Sequence, residues 1–193
     1  MKIERPISKQ PIPDHAKKVF EGKLFDVYQW DQIGYDGEVK IFEKVRRPDT
    51  ASIIAVTEDG EIMLAKEEQP GKSPFICTFG GRIEQGEDPL FAAKRELLEE
   101  TGCEAKEWEL FYSVQPNGKI DWAIYTFIAK GCVKVAEQNL DGAEKITPLL
   151  LNFDEFIEKV SDDTFDDIGL KVLVLKAKSD DKKMTELKVR ILG

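Results

Sequence analysis

The chain has 193 residues, 41% of them hydrophobic, and carries a formal net charge of −9 at pH 7. That is enough apolar material for one sizeable domain with an extension, while the acidic balance argues against binding a nucleic-acid polymer, which requires a basic surface. No stretch approaches the length of a membrane span, so no membrane partner is expected.

In chain order, residues 1–18, with Pro6, Pro11 and Pro13, read as a flexible arm, and His15, the only histidine, reads as solvated. The opening MKIERPISKQ lacks the apolar run of a secretory signal. Cys77, Cys103 and Cys132 are odd in number and form no pair motif, so a reducing, cytoplasmic compartment is expected. An N-terminal β extension, 19–47, follows, with strands at Leu24–Ile33 and Val39–Val45 joined at the turn signal Asp36-Gly37. The main domain, 48–178, opens with a second hairpin, Ser52–Thr57 and Glu61–Lys66, around Asp59-Gly60. The run Gly71-Lys72-Ser73 ends like a phosphate-binding loop, but that motif needs a glycine five residues earlier, where Lys66 stands. Phe75–Phe79 reads as a strand, and further strands are expected near Trp108–Val114 and Asp121–Ala129; the second is apolar on both faces, which predicts a central, covered position. A strand near Ile146–Leu151, a helix from about Asp154, a final helix over Thr164–Lys178 and a charged tail, 179–193, complete the pattern of mixed α/β type (α+β).

The most informative segment is GRIEQGEDPLFAAKRELLEETGC, residues 81–103. Asp88 suits an N-cap, Pro89 the first helical position and Gly102 a left-handed C-terminal residue. Between them Leu90–Glu100 contains good helix formers and no β-branched residue. On such a helix Glu96 and Glu100 lie ~40° apart, with Glu99 ~60° to the other side, so the three carboxylates face one way. Leu90 with Leu97, and Phe91 with Leu98, are then free to pack inward. Like charges at these spacings repel. A solvated acidic face is one resolution; a hard divalent cation such as Mg²⁺ or Mn²⁺, which prefers carboxylate oxygens, is the other. The strand and glycine-rich loop before the helix, with Gly80-Gly81 following Phe79, bring backbone groups beside the carboxylates.

The segment resembles the Nudix box, G-x5-E-x7-R-E-U-x-E-E-x-G-U with U aliphatic, and meets every fixed position; Cys103 in the last apolar slot is a mild departure. The resemblance implies a Nudix-type α/β/α sandwich with a mixed sheet. It implies hydrolysis of a nucleoside diphosphate linked to another moiety, with Mg²⁺ or Mn²⁺ as cofactor. By position, Glu96 and Glu100 would be the principal metal ligands, Glu99 an assistant, and the carbonyl of Gly80 a further ligand. Arg95 would orient the glutamates and Glu87 pair with it. Outside the box, the strand-rich N-terminal segment, Pro116 in SVQPNGK and the acidic loop LDGAEKI resemble the ADP-ribose pyrophosphatase branch. There Glu144 would bind metal or activate water, with a solvated turn as its alternative, and Asp141 is a weaker second. The resemblance covers residues 19–160, and it departs at EEQPGKS, 67–73, which lacks an arginine that relatives often use to grip substrate. Another nucleotide-sugar or dinucleotide substrate, or a non-catalytic nucleotide sensor on the same fold, remains an alternative.

Candidates for substrate contact are Arg46 and Arg47, where the N-terminal segment meets the core, and backbone at Gly81. Arginine suits bidentate phosphate contacts, though surface ion pairs would serve either residue equally. A base needs a flat face, for which Phe25, Tyr28, Trp30, Trp122 and Tyr125 are candidates, each equally suited to core or interface packing. Relatives often exchange N-terminal strands between subunits, so the resemblance also implies a homodimer.

Overall fold

The computed structural model describes residues 3–140, 142 and 144–193, and Asp141 lies outside them. Its strands are β1 (Lys17–Glu21), β2 (Asp26–Ile33), β3 (Val39–Arg46), β4 (Thr50–Thr57), β5 (Ile62–Glu68), β6 (Phe75–Cys77), β7 (Phe79–Arg82), β8 (Cys103–Glu104), β9 (Glu107–Val114), β10 (Ile120–Asp121), β11 (Ile124–Lys134) and β12 (Lys145–Leu151). The helices are α1 (Pro89–Thr101), α2 (Phe153–Ser161), α3 (Ile168–Lys178) and α4 (Asp181–Leu192). The large sheet runs β12-β5-β4-β11-β8, with β6 on β5, β7 on β4 and β9 on β11; a smaller sheet runs β1-β2-β3-β10. Pairing is antiparallel except for β4 with β11 and β3 with β10, so the sheets are mixed.

Alternation along β4 sorts the core. Ala51, Ile53 and Ala55 face the cluster built with Ala92, Ala93 and Leu97 of α1. Ile54 and Val56 face the other, where Phe156 and Val160 of α2, Leu170 and Val174 of α3, and Leu187 and Ile191 of α4 close the second layer. β11, with β4 on one side and β9 on the other, is buried on both faces, as its apolar pattern predicts. The result is the α/β/α sandwich that the Nudix box implies.

Several segments differ from the sequence reading, and Phe75–Phe79, expected as one strand, divides into β6 on β5 and the start of β7 on β4. The charged stretch after Ser179 is helix α4, anchored by buried Leu187 and Ile191, rather than a tail. The helix expected from Thr164 begins at Ile168, because Phe165 makes a parallel bridge to Ile76 instead. Lys17–Glu21 is a strand. The preceding arm is tied down: Arg5 holds Asp49 at 2.7 and 2.9 Å and Asp121 at 3.0 Å. Lys44, 1% exposed, donates to Ser8 Oγ and the Gln10 carbonyl at 2.7 and 2.6 Å, partners that partly offset the cost of burying its charge. Among the described residues no helix is long and apolar enough to cross a membrane.

Candidate active site

The box helix α1 forms as its ends dictate. Asp88 accepts from the amides of Leu90 and Phe91 at 2.9 and 3.3 Å, and Gly102, at φ 71°, turns its N–H back to Leu98. Leu97 packs inward with Ala92 and Ala93, whereas Phe91, expected inside, is 63% exposed. The inward stripe is thus narrower than leucine spacing suggests, and small side chains let α1 lie close on the sheet.

Arg95 organises the acidic face. Its Nε donates to Glu87 Oε1 at 3.0 Å and its Nη2 to Glu87 Oε2 at 3.1 Å and the Arg82 carbonyl at 3.0 Å. Its Nη1 is shared between Glu96 at 2.8 Å and Glu99 at 3.0 Å. Glu100 lies deeper, 7% exposed, and accepts from the Gly80 amide at 2.7 Å. The Glu96 carboxylate rests so close to Gly81 that a Cβ there would stand 2.5 Å from its oxygen. Burial, followed by the charges of Glu96, Glu144 and Glu67, pushes Glu100 up to about 9 against the pull of the Gly80 amide. Burial also raises Glu96, with Arg95 opposing. Arg95→Ala is expected to cost about 2–4 kcal/mol, because it leaves a partly buried acidic cluster uncompensated. Urea unfolding tests this, and an unchanged midpoint would show that Arg95 does not hold the cluster.

Among the described residues no three acidic, histidine or cysteine side chains form a ready-made cation cage. Arg95 bridges Glu96 and Glu99, while Glu100 is turned to the Gly80 amide. The donor set nevertheless fits a hard divalent ion: Glu96, Glu99, Glu100 and the Gly80 backbone offer only oxygen ligands, and the raised Glu96 and Glu100 mark a site short of positive charge.

These groups border a groove of about 690 Å³ that also touches Lys23 and Leu24. It adjoins a cleft of about 540 Å³, and Arg47, Gly80, Gly81, Arg82, Glu100 and Glu144 line both. Pro116 and Trp122 line the cleft. The Arg47 guanidinium lies 4.4 Å over the Trp122 ring and 5.9 Å from Phe25, and its buried Nε has no hydrogen-bond partner. Burial, then the charge of Arg82, lowers its pKa, so this wall is short of an anion.

Two candidates lie elsewhere. Arg46, adjacent to Arg47, pairs with Asp121 at 2.8 Å and stacks on Tyr28 at 4.7 Å, outside the residues lining the cleft. Trp30 is buried against its cross-strand partner Phe42, with ring centroids 6.1 Å apart, and does not line the cleft either. Sequence reasoning missed Arg82, Tyr112 and Asp167, which do line it. Asp167 had one signal, as a good N-cap residue ahead of an apolar run, but nothing local placed that helix start over the cleft.

Compared with known proteins, residues 46–168 match the NUDIX domain. The chain is 30% identical over 151 residues to the methanol dehydrogenase activator of Bacillus methanolicus, covering 76% of this chain and 81% of that protein. It is 31% identical over 144 residues to the ADP-ribose pyrophosphatase of Bacillus subtilis (strain 168), covering 74% and 72%. Among solved structures, one titled as an ADP compounds hydrolase superposes with a TM-score of 0.69 at 18% identity, over 92% of this chain and 98% of that one, a likeness of fold.

Proposed function

The chain belongs to the Nudix family of hydrolases acting on nucleoside-diphosphate-linked moieties, and on that premise we propose that it cleaves ADP-ribose to AMP and ribose 5-phosphate with Mg²⁺ or Mn²⁺. One observation carries the reading. A carboxylate wall short of positive charge, Glu96 and Glu100, shares a cleft with an arginine wall short of negative charge, Arg47 and Arg82. A pyrophosphate and its cation complete both walls at once. The relative named as an ADP-ribose pyrophosphatase supports the choice of substrate.

Glu96, Glu99, Glu100 and the Gly80 carbonyl would hold the cation, with Arg95 fixing the first two carboxylates. Bound there, the ion supplies charge neutralisation at the pyrophosphate oxygens and a more acidic water. Arg47 lines both groove and cleft, where its guanidinium is placed to donate to a phosphate oxygen and, stacked on Trp122, gives that side of the cleft a flat cationic surface suited to a base. Glu144 lies close enough for its charge to raise both Glu96 and Glu100. It is assigned to accept the proton of the attacking water.

The test is nucleoside monophosphate release, read as phosphate freed by an added phosphatase, from a panel of ADP-ribose, other nucleotide sugars, NADH and diadenosine polyphosphates, with Mg²⁺ or Mn²⁺ and with chelator. ADP-ribose is expected to give the highest kcat/KM, and chelator to abolish turnover. A better substrate elsewhere in the panel would move the assignment within the family. Metal-dependent nucleotide binding without turnover of any member would make the protein a sensor.

We further propose that the chain forms a homodimer through its N-terminal sheet. Phe20, Ile33, Val39 and Ile41 on β1, β2 and β3 are each more than half exposed, an apolar surface that a second copy would cover. Light scattering should give twice the chain mass of 21.9 kDa, and a species of single mass at micromolar concentration would refute this.

A further inference from the structure

One end of the cleft carries polar groups for which phosphate chemistry has no use. Gly80, Ser52, Thr126 and Tyr112 stand in register across β7, β4, β11 and β9, and so form one row on a single face of the sheet. Ser52 and Thr78 share a hydroxyl–hydroxyl hydrogen bond of 2.8 Å. Thr126 is fully buried, and its Oγ1 and the buried Tyr112 hydroxyl lie against each other without the geometry of a good hydrogen bond. On this face the preceding row includes Ile124 and Val114 and the following one Ile54 and Ile128, so a hydroxyl strip crosses an apolar floor.

The start of α3 closes over that strip. A Cβ on Gly169 would stand 3.2 Å from the Tyr112 hydroxyl and 3.3 Å from Asp167 Oδ1, so both oxygens converge beside a residue without a side chain. Burial and the charge of Asp167 push Tyr112 up to about 12, which keeps it a donor, and burial raises Asp167 too. From Gly80 to Tyr112 is three strand spacings, about 14 Å, comparable with the reach of a sugar attached to a diphosphate. A second base is poorly served at this end. Of the rings lining the cleft besides Tyr112, Trp122 lies under Arg47, Phe79 is buried in the core, and Phe75 is covered by Lys72, whose Nζ sits 3.3 Å over it.

We propose that Asp167 and Tyr112 form a subsite for the polyhydroxylated sugar on the far side of the pyrophosphate, Asp167 accepting from its hydroxyls and Tyr112 donating to one. The assignment rests on the hydrolase reading above and makes the chain selective for sugar-linked over dinucleotide substrates. A site built to pair hydroxyls rejects analogues lacking them, because its own buried groups are then left unsatisfied.

The test compares AMP release from ADP-ribose and from the methyl ester of ADP, which keeps adenosine and pyrophosphate but has no sugar beyond. Asp167→Asn is a suitable variant, since asparagine retains the cap that Asp167 provides to the Leu170 amide at 3.0 Å; Tyr112→Phe removes only the hydroxyl. Wild type is expected to favour ADP-ribose, and each variant to lower the ratio of the two kcat/KM values by about ten- to a hundredfold. Parallel losses on both esters, or a wild-type ratio near one, overturn the subsite while leaving the hydrolase reading intact. No turnover of either ester by wild type overturns the ADP-ribose assignment, and the subsite with it.

Discussion

Glu100→Gln lowers kcat/KM by about three orders of magnitude or more, the expected scale for losing a charged group that neutralises pyrophosphate. Glu100 is the most buried of the three box glutamates and the one against the Gly80 amide, so no neighbouring carboxylate replaces it. The fold survives. Glutamine keeps the acceptor for that amide and is neutral where burial and the charges of Glu96, Glu144 and Glu67 already disfavour a carboxylate. The chelated variant should therefore melt at or above the wild-type temperature, while the added stability that Mg²⁺ or Mn²⁺ gives the wild type, which grows with the ratio of ion concentration to Kd, shrinks or disappears. Steady-state kinetics and thermal melts with and without metal check both halves. Turnover within tenfold of wild type would remove Glu100 from the mechanism.

Gly80→Ala is expected to be the most destabilising single change near the site, by about 3–5 kcal/mol. Gly80 sits in β7 at φ 136°, a region side chains avoid. A Cβ there would fall 2.0 Å from the Ala51 carbonyl oxygen and 3.0 Å from the Ser52 Cα. Both obstacles are backbone of β4, so relief requires parting β7 from β4 and takes the Glu100 anchor with it. Gly81→Ala is the contrast, since the nearest atoms to its Cβ are the end of the Glu96 side chain rather than backbone. It should leave the unfolding midpoint nearly unchanged while displacing a proposed metal ligand. Urea unfolding of the two variants decides; equal midpoints would show that β7 yields more easily than its pairing implies.

The box was legible in sequence because its constraints are local. Asp88, Pro89 and Gly102 fix the ends of α1, and Glu87 meets Arg95 over eight residues. α4 was not, because its charges mask a stripe of three residues, Met184, Leu187 and Ile191, whose partners are far away in the chain. Neither was the division between Arg46 and Arg47. Neighbours at a strand end point to opposite sides, and only the tertiary register shows that one meets Asp121 and the other the cleft. The placing of Trp30 away from the cleft was hidden for the same reason: its identity as an aromatic carried no information about which face of the small sheet it occupies. Tyr112 and Asp167 converge from segments 55 residues apart, a distance over which periodicity says nothing.

Among the widely separated stretches that wall the cleft and its adjoining groove, the Lys23-Leu24 turn and the beginning of α3 flank the box. Reactivity and taste are therefore inherited separately. A lineage can rewrite the two flanking stretches, and with them the cargo it accepts, without altering a letter of the segment that breaks the bond.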